Sequence, residues 1–386
     1  MRILVLDTIH GGSELARALR GSGHQVDEVD VYRGKDGIPV EEALERFYDL
    51  VTAPVHLDPA HPLLLRHGPA VSHHEMVGWV IRGRRTTHPF IEITGARGKT
   101  TTAHALASLM PGSGILHTST GTYRYPDGER LWKRSITPAS LIPAAREARR
   151  IGGWLIAEES LGVTGAGDVA VLTSPEDYPI AAGRKRAITE KCRLLSRARI
   201  VILPPGADPV RKAVSVGDIV SFEGPVCRYA RGGIAGAFEN PLCMLEGYRT
   251  ALALAAATAC VLGVDPLPLA GFAALPGRMA SWREGNRVIV DNANSGTNVE
   301  TTIEAARYAL SLAGGGTLTL VLGEEARAIC EGFPAEDIAR AVSAVRPAAT
   351  VYVGEGHAAA TLDEGLALAR SITPEGAIVL AVKAWR

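Results

Sequence analysis

The run Ile91-Glu-Ile-Thr-Gly-Ala-Arg-Gly-Lys-Thr-Thr-Thr102 joins a strand, a glycine turn and the start of a helix. The β-branched and aromatic residues from Phe90 to Ile93 predict a short buried strand. Gly95-Ala96-Arg97-Gly98 predicts a turn, and Lys99 with Thr100, Thr101 and Thr102 opens a helix. Such a loop aims backbone N–H groups and the positive end of a helix dipole at one point, which suits a phosphate group. Gly95 and Gly98 let the backbone of Ala96 and Arg97 approach that phosphate. Lys99 reaches its outer oxygens, the Thr100 hydroxyl is placed to ligate Mg²⁺, and Thr101 stands beside it. ATP and Mg²⁺ are the expected cofactors. The common phosphate loop would put its first glycine at position 93, where this chain has Ile93. The competing reading, a glycine-rich turn with a chance lysine, does not account for strand, loop and helix falling in register.

Composition limits what surrounds this loop. The chain has 386 residues, enough for two or three domains. Its 41 basic and 41 acidic residues cancel, so nothing points to nucleic acid or an anionic membrane. Five cysteines are scattered without a Cys-x-x-Cys pair, a reduced pattern that suggests a cytoplasmic protein. No apolar run is long enough to span a bilayer, and Met1 to Asp7 is too short for a signal peptide. Oligomeric state cannot be read from the chain.

Residues 1–88 predict a Rossmann-like α/β unit: a strand from Arg2 to Leu6, a loop through His10-Gly11-Gly12, a helix capped by Ser13 and running to Arg20, and an alternating strand from Gln25 to Val31. Five of the 11 histidines fall between positions 56 and 74. His56 and His61, and the pair His73-His74, have the chemistry to face a metal or an anion, or simply to cap turns. After the phosphate-loop helix, Thr137-Pro138 predicts a helix to Arg150. Trp154 to Ala157 predicts a buried strand ending at Glu158. A carboxylate at that end of a strand beside a phosphate loop is placed for Mg²⁺. A helix over 186–196 carries Lys191, and an alanine-rich helix runs from Leu242 to Gly263. Beyond Leu275-Pro-Gly-Arg-Met279, strands and helices alternate to the end.

In order and spacing, Thr94-Gly-x-x-Gly-Lys-Thr-Thr101, Glu158-x-Ser160, Pro276-Gly-Arg-Met279 and Asp291-x-Ala293 resemble the motifs of the Mur ligase family, over about residues 89–300. The resemblance implies an α/β protein of three domains: a Rossmann-like substrate domain over 1–88, a central P-loop ATP-binding domain over 89–274, and a small α/β domain over 275–386. It also implies an ADP-forming ligase in which Lys99, Glu158 and Lys191 are catalytic, the family's counterpart of Lys191 being a carbamylated lysine that bridges metals. Nucleotide binding would draw on Gly95, Ala96, Arg97, Gly98, Lys99, Thr100, Thr101, Arg278 and Asp291, with Thr100 and Glu158 on the metal. His10, Gly11, Gly12, His73, His74 and Asn294 are the candidate substrate contacts.

The chain departs from the family pattern in two places. Tyr178 stands where the family has a metal-side histidine, and Asn292, Asn294 and Gly296 replace the Tyr, His and Pro of its Asp-Tyr-Ala-His-Asn-Pro loop. With the short first domain and the Pro54–Pro62 and Ser72–Glu75 segments, this resembles a branch that cyclises a nickel seco-tetrapyrrole acid. Two alternatives stay open: an amide-forming member of the family, and a nucleotide-binding regulator without ligase chemistry. For a polycarboxylate, Arg82, Arg84, Arg85 and Arg184, Lys185, Arg186 are candidate grips, solvated surface charge being the alternative. Lys383, Trp385 and Arg386 are further candidates.

Overall fold

The computed structural model describes residues 1–82, 89–208, 210–325 and 332–384; Arg84, Arg85, Trp385 and Arg386 lie outside the described residues. Two compact units emerge, Met1–Gly271 and Phe272–Arg386.

The first unit contains two parallel-rich sheets. In the smaller, the strands run Gln25–Val29, Arg2–Leu6, Leu50–Ala53, Val71–Ser72, all parallel. Ile3, Leu4, Val5 and Leu6 are fully buried because apolar side chains cover both faces of the central strand. The larger sheet has eight strands, in the order Ala213–Ser215, Ile200–Leu203, Val169–Leu172, Phe90–Thr94, Trp154–Glu158, Gly114–Thr118, Gly121–Tyr125, Glu129–Trp132. The last two pair antiparallel and the rest parallel. The helices Gly12–Arg20, His73–Arg82 and Leu141–Arg150 share one continuous core with both sheets, formed by Ile3, Leu15, Val77, Ile142, Ile115 and Leu155 among others. Residues expected to form separate first and second domains therefore bury apolar surface together.

The helix Glu246–Leu262 packs on the phosphate-loop helix Lys99–Ala107, and its alanines from 251 to 259 are buried. Small side chains let the two backbones approach closely, which explains an alanine-rich sequence in a buried helix. Several boundaries differ from expectation, each for a local reason. The first helix begins at Gly12 with left-handed Gly11 as its N-cap, rather than at Ser13. The second strand stops at Val29 because the Asp30 carboxylate accepts the N–H groups of Tyr32, Arg33 and Lys35 and closes a turn. Short 3₁₀ turns, Pro138–Ser140 and Pro241–Met244, precede the helices expected to start there. A three-stranded antiparallel sheet, Val220–Glu223, Val226–Arg231 and Ile234–Glu239, was not expected at all.

The second unit is a five-stranded sheet in the order Ala280–Glu284, Arg287–Asp291, Gly376–Lys383, Leu318–Glu324, Ala349–Val353. Capping boxes at Asn298 and Thr361 start its helices Val299–Ala313 and Leu362–Ile372.

Gly114 opens a strand against the buried ring of Trp154, where an added Cβ would meet ring atoms at 1.9 Å. Gly114→Ala is expected to destabilise the first unit by about 1–3 kcal/mol. Gly247→Ala, in open space on the helix Glu246–Leu262, is expected to leave stability unchanged or raise it by about 1 kcal/mol. Thermal unfolding of the two variants checks the contrast.

Candidate active site

Three adjacent parallel strands, Val169–Leu172, Phe90–Thr94 and Trp154–Glu158, end at one edge of the large sheet. That edge is where ligands bind in open α/β sheets. The central strand runs into Gly95, whose φ is 150°, and then to left-handed Gly98, the N-cap of the helix from Lys99. A Cβ on residue 95 would sit 2.1 Å from the Thr173 hydroxyl, so glycine is required there. The neighbouring strand end grips the loop. Ser174 Oγ accepts the N–H groups of Ala96 (2.9 Å) and Arg97 (3.2 Å), and the Thr173 hydroxyl donates to Thr94 O at 3.2 Å. Lys99 Nζ folds back over the turn, donating to Gly95 O at 3.0 Å, and lies 4.0 Å from Glu158 Oε1.

Glu158 is 2% exposed. Its Oε2 accepts the Thr100 hydroxyl at 2.9 Å and the Ser119 N–H at 3.0 Å, and Ser119 Oγ is 3.2 Å from Thr100 Oγ1. A buried carboxylate and two hydroxyls form a set of hard oxygen donors of the kind Mg²⁺ takes, and the Lys99 ammonium at the helix N-terminus adds positive charge beside them. Thr101 is buried in the same helical turn. Arg97 points along the surface and pairs with Glu176 at 2.8 Å.

Lys191, on the helix Ala187–Leu195, is fully buried, and its Nζ has no hydrogen-bond partner among the described residues. It lies 4.8 Å over the Tyr178 ring. Burial first, then the positive charge of Lys99, pulls its ammonium down to about 8. The departure at Tyr178 thus has a local consequence: an aromatic face replaces an imidazole beside this amine. Behind the site, Glu92 in the central strand accepts the backbone N–H groups of Thr164 (2.7 Å) and Gly167 (2.8 Å). The neighbouring Glu159 is wholly buried, and burial, then the charge of Glu92, raises its carboxyl well above the usual range.

The substrate-side candidates of the first unit, His10, Gly11, Gly12, His73 and His74, gather at the carboxyl edge of the small sheet, whereas Asn294 belongs to the second unit. A cavity of about 240 Å³ is lined by His10, His56, His73, His74, Thr137 and Ser160, among others. His74 Nε2 meets Ser160 O at 2.8 Å, two residues beyond Glu158. Gly11 and Gly12 serve the backbone. A Cβ on Gly12 would lie 1.5 Å from Asp7 O, and one on Gly11 would lie 2.9 Å from Thr137 Oγ1. The candidate grips Arg184, Lys185 and Arg186 pair with Asp58, Glu190 and Asp177, and Arg82 donates to Gly165 O.

In the second unit, the Asp291 carboxylate accepts the N–H groups of Gly277 and Ala293, both at 3.0 Å, tying the Pro-Gly-Arg turn to the end of its strand. Asn294 donates to Gly277 O at 2.7 Å and clasps the same turn. Arg278 follows Gly277 in that turn, its backbone N–H bonded to Leu275 O.

Residues 282–384 match the family described as coenzyme F430 synthetase CfbE, C-terminal domain. A coenzyme F(430) synthetase of Methanosarcina acetivorans is 33% identical, the match covering 86% of this chain and 85% of that protein. The chain belongs to the coenzyme F430 synthetase family. It is an ADP-forming ligase, so the reading as a nucleotide-binding regulator without ligase chemistry is set aside. A UDP-N-acetylmuramoylalanine–D-glutamate ligase of Dechloromonas aromatica is 26% identical, over 79% of this chain and 74% of that protein. A crystal structure of MurF from Acinetobacter baumannii superposes with a TM-score of 0.59 at 14% identity, covering 97% of this chain and 95% of that one. The α/β architecture of this F430 synthetase relative is that of the Mur ligases.

Ser119, Thr173, Ser174 and Glu92 are not among the site residues expected from the sequence, although Ser119 lies in a polar turn after a buried strand and Thr173-Ser174 directly follows another. Among the described residues, no helix is long and apolar enough to cross a membrane.

Glu158→Gln retains an oxygen able to accept from Thr100 and Ser119 but removes the charge. ADP release from MgATP is expected to fall at least about 10²-fold, a loss of about 3 kcal/mol, with the unfolding midpoint little changed. A coupled ADP assay beside thermal unfolding checks both.

Proposed function

We propose that this ligase activates a carboxylate of a nickel seco-tetrapyrrole with ATP and then closes a carbocyclic ring, releasing ADP and phosphate. One observation carries the reading. The strand end that holds Glu158 against Thr100 continues directly into Ser160 on the wall of the histidine-lined cavity. An acid seated in that cavity would lie against Ser160, two residues along the chain from Glu158. The name of the 33% identical relative supports the choice of substrate.

The chemistry follows from the residues. The N-terminus of the helix Lys99–Ala107 and the Lys99 ammonium hold the γ-phosphoryl group, while Ser174 keeps the N–H groups of Ala96 and Arg97 in the shape of the loop. Thr100 and Glu158 would hold Mg²⁺, which when bound neutralises phosphate charge. A substrate carboxylate oxygen attacks phosphorus in line, the bond to ADP breaks, and an acyl phosphate forms. A ring carbon of the same molecule gives up its proton and attacks the acyl carbon. A carbon–carbon bond forms, the acyl–oxygen bond breaks, and phosphate leaves a cyclic ketone. Because the nucleophile belongs to the substrate, orientation is the protein's main contribution, worth up to about 7–11 kcal/mol. Arg278 and Asp291 are assigned to the phosphate and ribose of the nucleotide.

Lys191 is assigned as a carbamate. Its neutral amine adds to CO₂ and releases a proton, which turns a buried cation into an anion that suits metal. The neutral fraction of an amine lowered to about 8 grows as pH rises through that value, so carbamate formation strengthens in the same direction. In labelled bicarbonate at pH above 8, a carbamate resonance is expected that is absent from Lys191→Ala; the same spectrum from both proteins would contradict the assignment.

The purified chain, given MgATP and the nickel seco-precursor without amino acid, is expected to release ADP while the tetrapyrrole loses one water by mass. ADP release that instead requires an amino acid would return the protein to the amide-forming branch.

A further inference from the structure

We propose that His10 and His56, with Asp7 and His73 behind them, form a binding site for a divalent transition metal with open coordination positions. Nickel meets that description either as a free ion or at the centre of a macrocycle. One ligand atom each from Asp7, His10 and His56 lies within 4.8 Å of the other two. Metal–ligand bonds of about 2.1 Å hold two ligands no more than about 4.2 Å apart, so a small closure completes the site.

The arrangement is built rather than incidental. Asp7 ends the central strand Arg2–Leu6, fully buried and in a left-handed conformation with φ 92°. Its carboxylate accepts the N–H groups of Ile9 at 2.7 Å and His10 at 3.1 Å, and it faces His10 Nδ1 at 3.0 Å. With Nδ1–H donating to the Asp7 carboxylate, the lone pair of His10 is at Nε2, the carboxylate–histidine arrangement that orients metal-binding imidazoles. His56 stands edge-on to His10 at 4.9 Å, and Tyr32 stacks on His56 while meeting His10 edge-on. Those contacts fix both rings.

A second, independent observation points to a ligand. His73 is 1% exposed, lines the same cavity, and its Nε2 has no hydrogen-bond partner among the described residues. Burial holds it neutral, lowered to about 4, which is the form that binds metal. The other three histidines between 56 and 74 are engaged elsewhere: His61 Nδ1 caps Leu63 N–H, His67 Nε2 meets Ala43 O and His74 Nε2 meets Ser160 O. Imidazoles with one carboxylate suit nickel, cobalt or zinc rather than magnesium or calcium. In a tetrapyrrole the macrocycle fills the equatorial positions, leaving an axial place for one imidazole. His10, with its side chain 44% exposed, is the ring able to reach it. That macrocyclic occupant rests on the function proposed above; the free ion does not.

The test uses the full chain stripped of metal by a chelator. Ni²⁺ is titrated by calorimetry, Co²⁺ by visible absorption, and the nickel seco-precursor by the shift of its absorption band. Saturable binding of Ni²⁺ or Co²⁺, weakened at least about 10-fold in His10→Ala and about 10–100-fold in Asp7→Asn, supports the site with a free ion. A band shift of the precursor that is lost in His10→Ala, without free-ion binding, supports it with the macrocyclic metal. His56→Gln gives a second variant if Asp7→Asn unfolds, and thermal midpoints check all of them. Neither binding nor a His10-dependent shift would overturn the site. ADP release by the wild-type chain in that case would leave the function standing, whereas free-ion binding without any ADP release would do the reverse.

Discussion

The position of residue 95 has room for a hydrogen and no more. The Thr173 hydroxyl, on the next strand, occupies the space where any side chain would begin. That contact presses the phosphate loop against the end of the strand Val169–Leu172 and sets Ser174 beneath the N–H groups of Ala96 and Arg97. A shortened loop has fewer residues with which to shape itself, and here the adjacent strand supplies the missing constraint. The helix from Lys99 then starts at a fixed height, with Thr100 facing Glu158.

Burial makes this edge of the sheet electrostatically strong. Glu158 and Lys191 are almost or wholly without solvent, so each charge interacts through a medium far less screening than water. An unpaired buried ammonium is costly, and the lowered value of Lys191 is the response to that cost. Behind the site, the Glu92 carboxylate accepts backbone N–H groups, and burial together with the charge of Glu92 raises the carboxyl of Glu159 well above its usual range. Lys191 and Glu159 are thus both shifted toward their neutral forms, and perturbed groups of this kind gather at working sites more often than in cores built for stability.

Much of this was legible in the sequence because strand, turn and helix signals are local. Phe90 to Thr102 could be read without any distant residue, and so could the carboxylate ending the strand at Glu158. Contacts between segments far apart were not legible. Ser174 and Ser119 act on a loop 78 and a threonine 19 residues away, and a lone serine carries no mark of its partner. The antiparallel sheet over 220–239 was invisible for another reason. Its strands are short and little buried: Val220–Glu223 alternates over only four residues, and along the two later strands only Cys227, Tyr229 and Phe238 are buried, so the period-two signal is too brief to stand out. That residues on both sides of position 89 share one buried cluster was not legible either, because apolar periodicity records that a face is covered, not by which neighbour.

In the function proposed for this ligase, nucleotide chemistry and acid recognition meet at the short turn from Glu158 to Ser160, where phosphate would pass to the substrate's own carboxylate. Heavy-oxygen label placed in the carboxyl groups of the nickel seco-precursor tests it most directly, read by mass in the phosphate released during one turnover. The account predicts one labelled oxygen in that phosphate, because the acyl phosphate bridges through a carboxylate oxygen. Phosphate free of label, with ADP formed and the ring closed, would contradict it.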